Sequence, residues 1–241
     1  MIYPESYLHE LRILTYNIYS ASGKVDLHRI AEVIQSQKPH LVALQEVDDR
    51  THRSGGVNQI ARLGGLTSMH SFFARAMDYD QGGYGEGVLS VFPFEKIVRY
   101  ALPADADYEP RAVAEAHIRI NSNLEIIFLA THLDHLDEDQ QRLNQAHKIN
   151  DLFSGETNRI MILAGDMNAL PGSRPMLEFS KYWTNTMAEE APPTWPADQP
   201  YLRLDYIFYK PVEALRVVES KVIEELAASD HRPVLTVFEL A

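Results

Sequence analysis

The chain of 241 residues carries 22 Lys and Arg against 34 Asp and Glu, a formal net charge of −12, and 45% of it is hydrophobic. That is enough apolar material for one sizeable core, so residues 1–241 are read as a single domain, while the acidic surplus and the lack of any basic run disfavour extended nucleic acid as a partner. The absence of cysteine excludes disulfides, thiolate metal sites and cysteine nucleophiles.

No window approaches the ~20 apolar residues of a membrane span, and Met1-Ile2-Tyr3-Pro4-Glu5 lacks the basic then apolar pattern of a signal peptide; the expected location is the cytoplasm. Leu11 to Asn17 reads as a strand ending on an amide, before the small residues Ser20 to Gly23. Asp26 caps a predicted helix whose Leu27, Ile30, Ala31 and Ile34 keep helical spacing, and Pro39 ends it. A second apolar run, Leu41 to Leu44, delivers Gln45 and Glu46. Strand, helix, strand in this order is βαβ-like and places Asn17 and Glu46 at equivalent strand ends if the strands are parallel. Arg50 to Gly56 is a polar loop, Val57 to Leu63 a short helix stopped by Gly64-Gly65, and Phe72-Phe73-Ala74 a strand. The glycine-rich stretch Gly82 to Gly87 lacks the Gly-Lys-Ser/Thr ending of a P-loop and leads into a strand, Val88 to Val91, so it is expected to form a flexible rim presenting Glu86.

Ala112 to Ile120 and Leu124 to Thr131 flank Asn121-Ser122-Asn123, a hairpin pattern, and the second strand ends in Thr131-His132-Leu133-Asp134. A helix is predicted from about Glu138 to Phe153, with Leu143, Ala146, Ile149 and Phe153 on one face and Gly155 as its stop. His135 and His147 are expected on the surface without a role. Ile160 to Leu163 is a buried strand that delivers Gly165, Asp166 and Asn168 before Pro171-Gly172 breaks it. Because strand side chains alternate, Asp166 and Asn168 share a side and aim a carboxylate and a carboxamide at one cation or phosphate group. Residues 188–200 hold four prolines and Trp195 in a stiff loop. Tyr201 to Tyr209 reads as a strand containing Arg203-Leu204-Asp205, and Ser229-Asp230-His231-Arg232-Pro233 leads into a last strand, Val234 to Leu240.

Several segments therefore end in polar residues suited to hydrolysis. Oxygen ligands from Glu46 and Asp230 suit a hard cation such as Mg²⁺ or Mn²⁺, while His132 and His231 can supply acid, base or a cation beside developing phosphate charge. With no Gly-x-Ser-x-Gly or His-Glu-x-x-His pattern, serine hydrolase and zincin chemistry lack their residues. Trp195, on a rigid loop that runs into the strand of Asp205, is expected to border the site and select substrate.

In chain order, Leu14-Thr15-Tyr16-Asn17, Leu44-Gln45-Glu46-Val47, Thr131-His132-Leu133-Asp134, Gly165-Asp166-Met167-Asn168, Leu204-Asp205-Tyr206 and Ser229-Asp230-His231-Arg232-Pro233 resemble the motifs of the endonuclease/exonuclease/phosphatase superfamily, over about Leu11 to Leu240. The resemblance implies the fold of deoxyribonuclease I, of α/β (α+β) class: a four-layered α/β sandwich of two packed mixed β-sheets flanked by helices. It also implies Mg²⁺-dependent cleavage of phosphoester bonds, with Mn²⁺ as the alternative ion. Glu46 becomes the principal metal ligand with Asn17 beside it and Asp230 as a further ligand, and Asp166 and Asn168 hold the attacking water and a phosphate oxygen. His231, paired with Asp205, is the general base or charge-stabilising imidazole, and His132 assists the phosphoryl group or leaving oxygen. Glu86 lies where the deoxyribonuclease branch has an acid that orients the second histidine and many relatives have Asn. Arg111, in Glu109-Pro110-Arg111, is expected to contact phosphate.

Members of that superfamily cleave nucleic acids, phosphoinositides, sphingolipids and nucleotide derivatives from one core with different loops. Acidity favours a small-molecule or lipid-headgroup phosphodiester or phosphomonoester. A nuclease acting on DNA or RNA is the runner-up, and a non-catalytic binding module on the same fold is the alternative of another class. The oligomeric state is not legible.

Overall fold

The computed structural model describes residues 8–23, 25–156 and 158–240; Met1 to Glu5, read above for a signal pattern, lie outside them. The first half of the chain forms β1 (Glu10–Asn17), α1 (Leu27–Gln37), β2 (Leu41–Asp49), α2 (Gln59–Thr67), β3 (His70–Tyr79), β4 (Gly82–Ser90) and β5 (Phe94–Ala101). The second half adds β6 (Ala112–Asn121), β7 (Leu124–His132), α3 (Gln140–Phe153), β8 (Ile160–Asp166) and α4 (Arg174–Phe179). It closes with β9 (Thr184–Asn185), β10 (Asp205–Lys210), β11 (Arg216–Val222) and β12 (Val234–Glu239). Two six-stranded mixed sheets result, ordered β11-β12-β1-β2-β4-β3 and β5-β6-β7-β8-β10-β9.

Period-two alternation sorts each strand between two cores. Leu11 and Ile13 of β1, Leu41 and Ala43 of β2, Phe128 and Ala130 of β7, and Ile162 and Ala164 of β8 face each other between the sheets. The intervening residues Leu14, Tyr16, Val42 and Leu44 pack under Ile30 and Ile34 of α1 and Ile60 and Leu63 of α2. On the other side Leu129, Leu163 and Phe208 pack under Ala146 and Ile149 of α3 and Phe179 of α4. The layers therefore run helix, sheet, sheet, helix, as the four-layered sandwich requires. No described helix is long and apolar enough to cross a membrane.

Glycine was the commonest source of difference from the sequence reading. α2 runs through Gly64 and Gly65 instead of stopping at them, because Asn58 caps its start and Gly64 faces β3, where a Cβ would meet Ser71 Cβ at 2.9 Å. The stretch Gly82 to Gly87 is not a flexible rim. It is the first part of β4, an interior strand hydrogen-bonded to β2 and β3, in which a Cβ on Gly85 would sit 2.2 Å from the Ala74 carbonyl oxygen. The strand read from Tyr201 begins at Asp205, and the helix read from Glu138 begins at Gln140. β5 and β11 are half-exposed edge strands with little apolar alternation to mark them.

Gly165 shows how tightly β7 and β8 pair: a Cβ there would lie 2.0 Å from the Thr131 carbonyl oxygen. Gly165→Ala is expected to cost ~3 kcal/mol through forced backbone displacement, read as a lower urea midpoint at unchanged slope. A midpoint within error of the parent would contradict the close approach.

Candidate active site

The alternation that fills the space between the sheets ends in polar residues on the same inner face. In β7 the series Ile126, Phe128, Ala130 is continued by His132; in β8 Ile162 and Ala164 are continued by Asp166; in β10 Asp205 precedes Ile207 and Tyr209. Strand register aligns His132 with Asp166 and Asp166 with Asp205, so the three stand in one row. In the other sheet Asn17 ends the β1 series and is in register with Gln45.

Glu46 arrives by a different device. The register of β2 against β4 shifts between Leu44 and Val47, and Glu46 takes φ 58, a left-handed conformation uncommon outside glycine. The extra residue of this bulge re-aims the side chain toward β1. There Asn17 Nδ2 donates both to Glu46 Oε1 at 3.1 Å and to Asp166 Oδ2 at 3.1 Å, joining a carboxylate from each sheet. Asn168 also converges by a turn and not by strand alternation. With φ 46 just past β8, its backbone N donates to Asp166 Oδ1 at 2.9 Å, and its Nδ2 lies 2.9 Å from His132 Nε2 and 3.1 Å from the Leu133 carbonyl oxygen.

The last segment brings His231 Nδ1 to 2.9 Å from Asp205 Oδ2. Asp166 Oδ2 then lies 3.6 Å from His231 Nε2 and 3.5 Å from His132 Nε2. Trp195 Nε1 donates to Asp230 Oδ2 at 3.2 Å, and its ring lies 6.5 Å from that of His231. Glu46, Arg111, His132, Asp166, Asn168, Trp195, Asp230 and His231 all line one cleft of about 700 Å³.

Burial and charge push the two histidines apart. Burial would lower the His231 pKa, but the carboxylates of Asp205, Asp166 and Asp230 outweigh it and the value rises to about 10, so this imidazole is cationic at neutral pH. His132 is held well below the ordinary histidine range by burial, by the Arg111 guanidinium and by His231, so it is neutral. Burial and Asp205 together raise Asp166.

The tightest group of ionisable ligand atoms among the described residues is Asp166, Asp205 and His231. Asp205 and His231 are bonded to each other, however, and a hard cation prefers oxygen throughout. The fit is better at Glu46 and Asp230. Burial raises the Glu46 pKa, which Asn17 only partly offsets, and Asp230 Oδ1 is buried without a hydrogen-bond partner. A divalent cation would supply the missing counter-charge. As placed, Asn17 offers its nitrogen to the carboxylates while its Oδ1 accepts from Tyr19 N at 3.0 Å, so it orients Glu46 and does not act as a metal ligand.

The sequence matches the model of the endonuclease/exonuclease/phosphatase family over residues 14–231. The chain belongs to that family. Solved structures share its fold: an endonuclease/exonuclease/phosphatase from Beutenbergia cavernae is 22% identical with a TM-score of 0.77, over 97% of this chain and 72% of that one. A conserved protein of unknown function from Enterococcus faecalis is 18% identical with a TM-score of 0.79, over 96% of this chain and 100% of that one. A mannosyl-6-phosphatase from Bacteroides thetaiotaomicron is 18% identical with a TM-score of 0.76, over 94% and 98%. No functionally curated protein matches the sequence.

Within this endonuclease/exonuclease/phosphatase chain, Glu86 and Arg111 are placed differently from the sequence reading. Glu86 is fully buried on the inner face of β4, its nearest electrostatic partner being Arg111, and the group at His132 Nδ1 is Arg111 Nη1 at 2.9 Å. Arg111 is 2% exposed and spent on histidines, not free to reach out to substrate. Tyr84, Glu109, His135 and Arg142 line the cleft unforeseen; His135 had been set aside as a surface residue, yet its Nδ1 lies 3.1 Å from Arg111 Nη2. Nothing in the spacing of these four marks them. His147, by contrast, is exposed and faces Glu178.

Proposed function

We propose that residues 1–241 act as one domain, a divalent-metal-dependent phosphoesterase that hydrolyses a small or lipid-type phosphodiester or phosphomonoester. The observation that carries this is Asp166, shared between a neutral His132 and a cationic His231 at the mouth of a cleft that also holds Glu46. Opposed protonation states on two neighbouring groups are what a single acid–base reaction needs. A raised carboxylate pKa makes Asp166 a better base for an attacking water, and the His231 imidazolium, held by Asp205, faces charge developing on the phosphoryl oxygens. His132 and Asn168 contact the phosphoryl group or leaving oxygen. A divalent cation, Mg²⁺ or Mn²⁺, held by Glu46 and Asp230 would neutralise phosphoryl charge as a Lewis acid.

The cleft wall supports a substrate with one phosphate and little other charge. Among the described residues it contains Glu46, Glu109, Asp137, Asp166 and Asp230 but no lysine, and its two arginines are buried and committed. A polyanionic strand would meet carboxylates beside the scissile group. Leu136, Leu170, Leu202 and Trp195 supply apolar surface instead.

Turnover of bis(p-nitrophenyl) phosphate, p-nitrophenyl phosphate and plasmid is to be compared with Mg²⁺ and with chelator. Chelator-sensitive hydrolysis of an aryl phosphate without plasmid nicking is expected; nicking alone would replace this reading with a nuclease, and no turnover of any of the three with a binding module. Trp195→Ala is expected to change preference between a lipid-type diester and the aryl phosphate at least ~5-fold while altering aryl phosphate turnover less, since the indole meets the leaving group and not the phosphorus. Equal loss on both substrates would remove Trp195 from substrate selection.

A further inference from the structure

His132 is caught between two donors. Arg111 Nη1 lies 2.9 Å from its Nδ1 and Asn168 Nδ2 lies 2.9 Å from its Nε2. A neutral imidazole accepts at one nitrogen only, so one of these contacts is not a hydrogen bond to the ring. Asn168 has a second acceptor, the Leu133 carbonyl oxygen at 3.1 Å. Arg111 carries a full charge in a buried site and a guanidinium cannot accept, so its claim on Nδ1 prevails. The ring proton is thereby forced onto Nε2. The acceptor nearest that nitrogen is Asp166 Oδ2, 3.5 Å away at the edge of the cleft.

We infer that Arg111 is a positioning residue that fixes His132 as the Nε2–H tautomer and so makes it a hydrogen-bond donor into the cleft. What the donor serves rests on the phosphoesterase reading: an Nε2–H beside the Asn168 amide presents two donors that are relieved when an anionic oxygen sits between them. Glu86 gains a role by the same route. Buried on β4 and coupled electrostatically to Arg111, it compensates the guanidinium charge, as does Glu109 at 3.3 Å from Nη2. An acid that orients the second histidine is thus replaced by an acid that supports the arginine doing so.

Long-range ¹H–¹⁵N imidazole spectra of the full chain, with His132 assigned by difference against His132→Gln, read the tautomer directly. Wild type is expected to give Nε2–H, and Arg111→Met is expected to shift His132 toward Nδ1–H. With an aryl phosphate the same variant is expected to lose about 10–100-fold in kcat with KM changed less than ~3-fold. Nδ1–H in wild type, or an unchanged tautomer in Arg111→Met, would overturn the inference, and the wild-type spectrum decides even if the variant fails to fold. Nε2–H in a wild type that turns over no phosphoester would uphold the tautomer and remove the function; Nδ1–H in an active wild type would do the reverse.

Discussion

Glu46→Gln is expected to fold, to melt higher than wild type in metal-free buffer, and to lose at least ~100-fold of its Mg²⁺-dependent turnover. The three effects share one cause. Burial raises the Glu46 pKa in the folded protein, so its ionised form, the one present at neutral pH, weighs against folding when no cation is bound. Glutamine keeps the acceptor that Asn17 reaches and removes the charge. The left-handed φ of 58 persists, so the gain in melting temperature reports the charge and not backbone relief. Saturating Mg²⁺ should reverse the order: a ligand at about 100 times its dissociation constant stabilises by ~2.7 kcal/mol, available to wild type and lost to the variant. Turnover within a few fold of wild type, or a variant that melts lower without metal, would take Glu46 out of the metal site.

The Asp205 and His231 pair carries the second large effect. Asp205→Asn, His231→Asn and the double variant are each expected to lose a similar factor, about 10²–10⁴-fold in kcat, because groups that act as one unit do not multiply their losses. The pH dependence gives the sign. His231 has its pKa raised to about 10 against burial, so its protonated form is favoured by the fold; that stabilisation is complete below the unfolded value of ~6.5 and is lost as pH rises through about 10. Removing the Asp205 charge lowers the folded value. The alkaline limb of the rate profile should therefore move to lower pH in Asp205→Asn, and the fall in stability across the same interval should flatten. An acidic limb that moves while the alkaline one stays would make His231 a base and not a cation.

Much of this site can be read in the sequence because strand ends were the device. Asn17, His132 and Asp166 each follow an apolar run, and period-two alternation carries every one of them to the inner face. The pairing of Asp205 with His231 needs only that both loops reach the same edge. What stayed hidden depends on contacts between elements. Gly85 and Gly87 looked like loop residues because local pattern cannot show that Ala74 and Ile60 leave no room for a side chain. Arg111 looked like a surface cation because nothing near it in sequence reveals the two imidazoles that receive its guanidinium. The bulge at Glu46 was invisible for the same reason, since it exists only relative to β4.

Asn17 spends one nitrogen on a carboxylate from each sheet, and its carbonyl oxygen accepts from Ser229 Oγ at 2.7 Å, next to the Asp230-His231 segment. A slip of the two sheets past one another by about 1 Å would stretch both 3.1 Å contacts beyond hydrogen-bond range while every strand kept its ladder. Catalytic competence is then a gauge of how the halves are clamped, sensitive to shear that spectroscopy of secondary structure does not register. In rising urea, turnover should fail before far-ultraviolet ellipticity does, and Asn17→Ala should widen that gap; coincident loss in both proteins would mean that the clamp lies elsewhere.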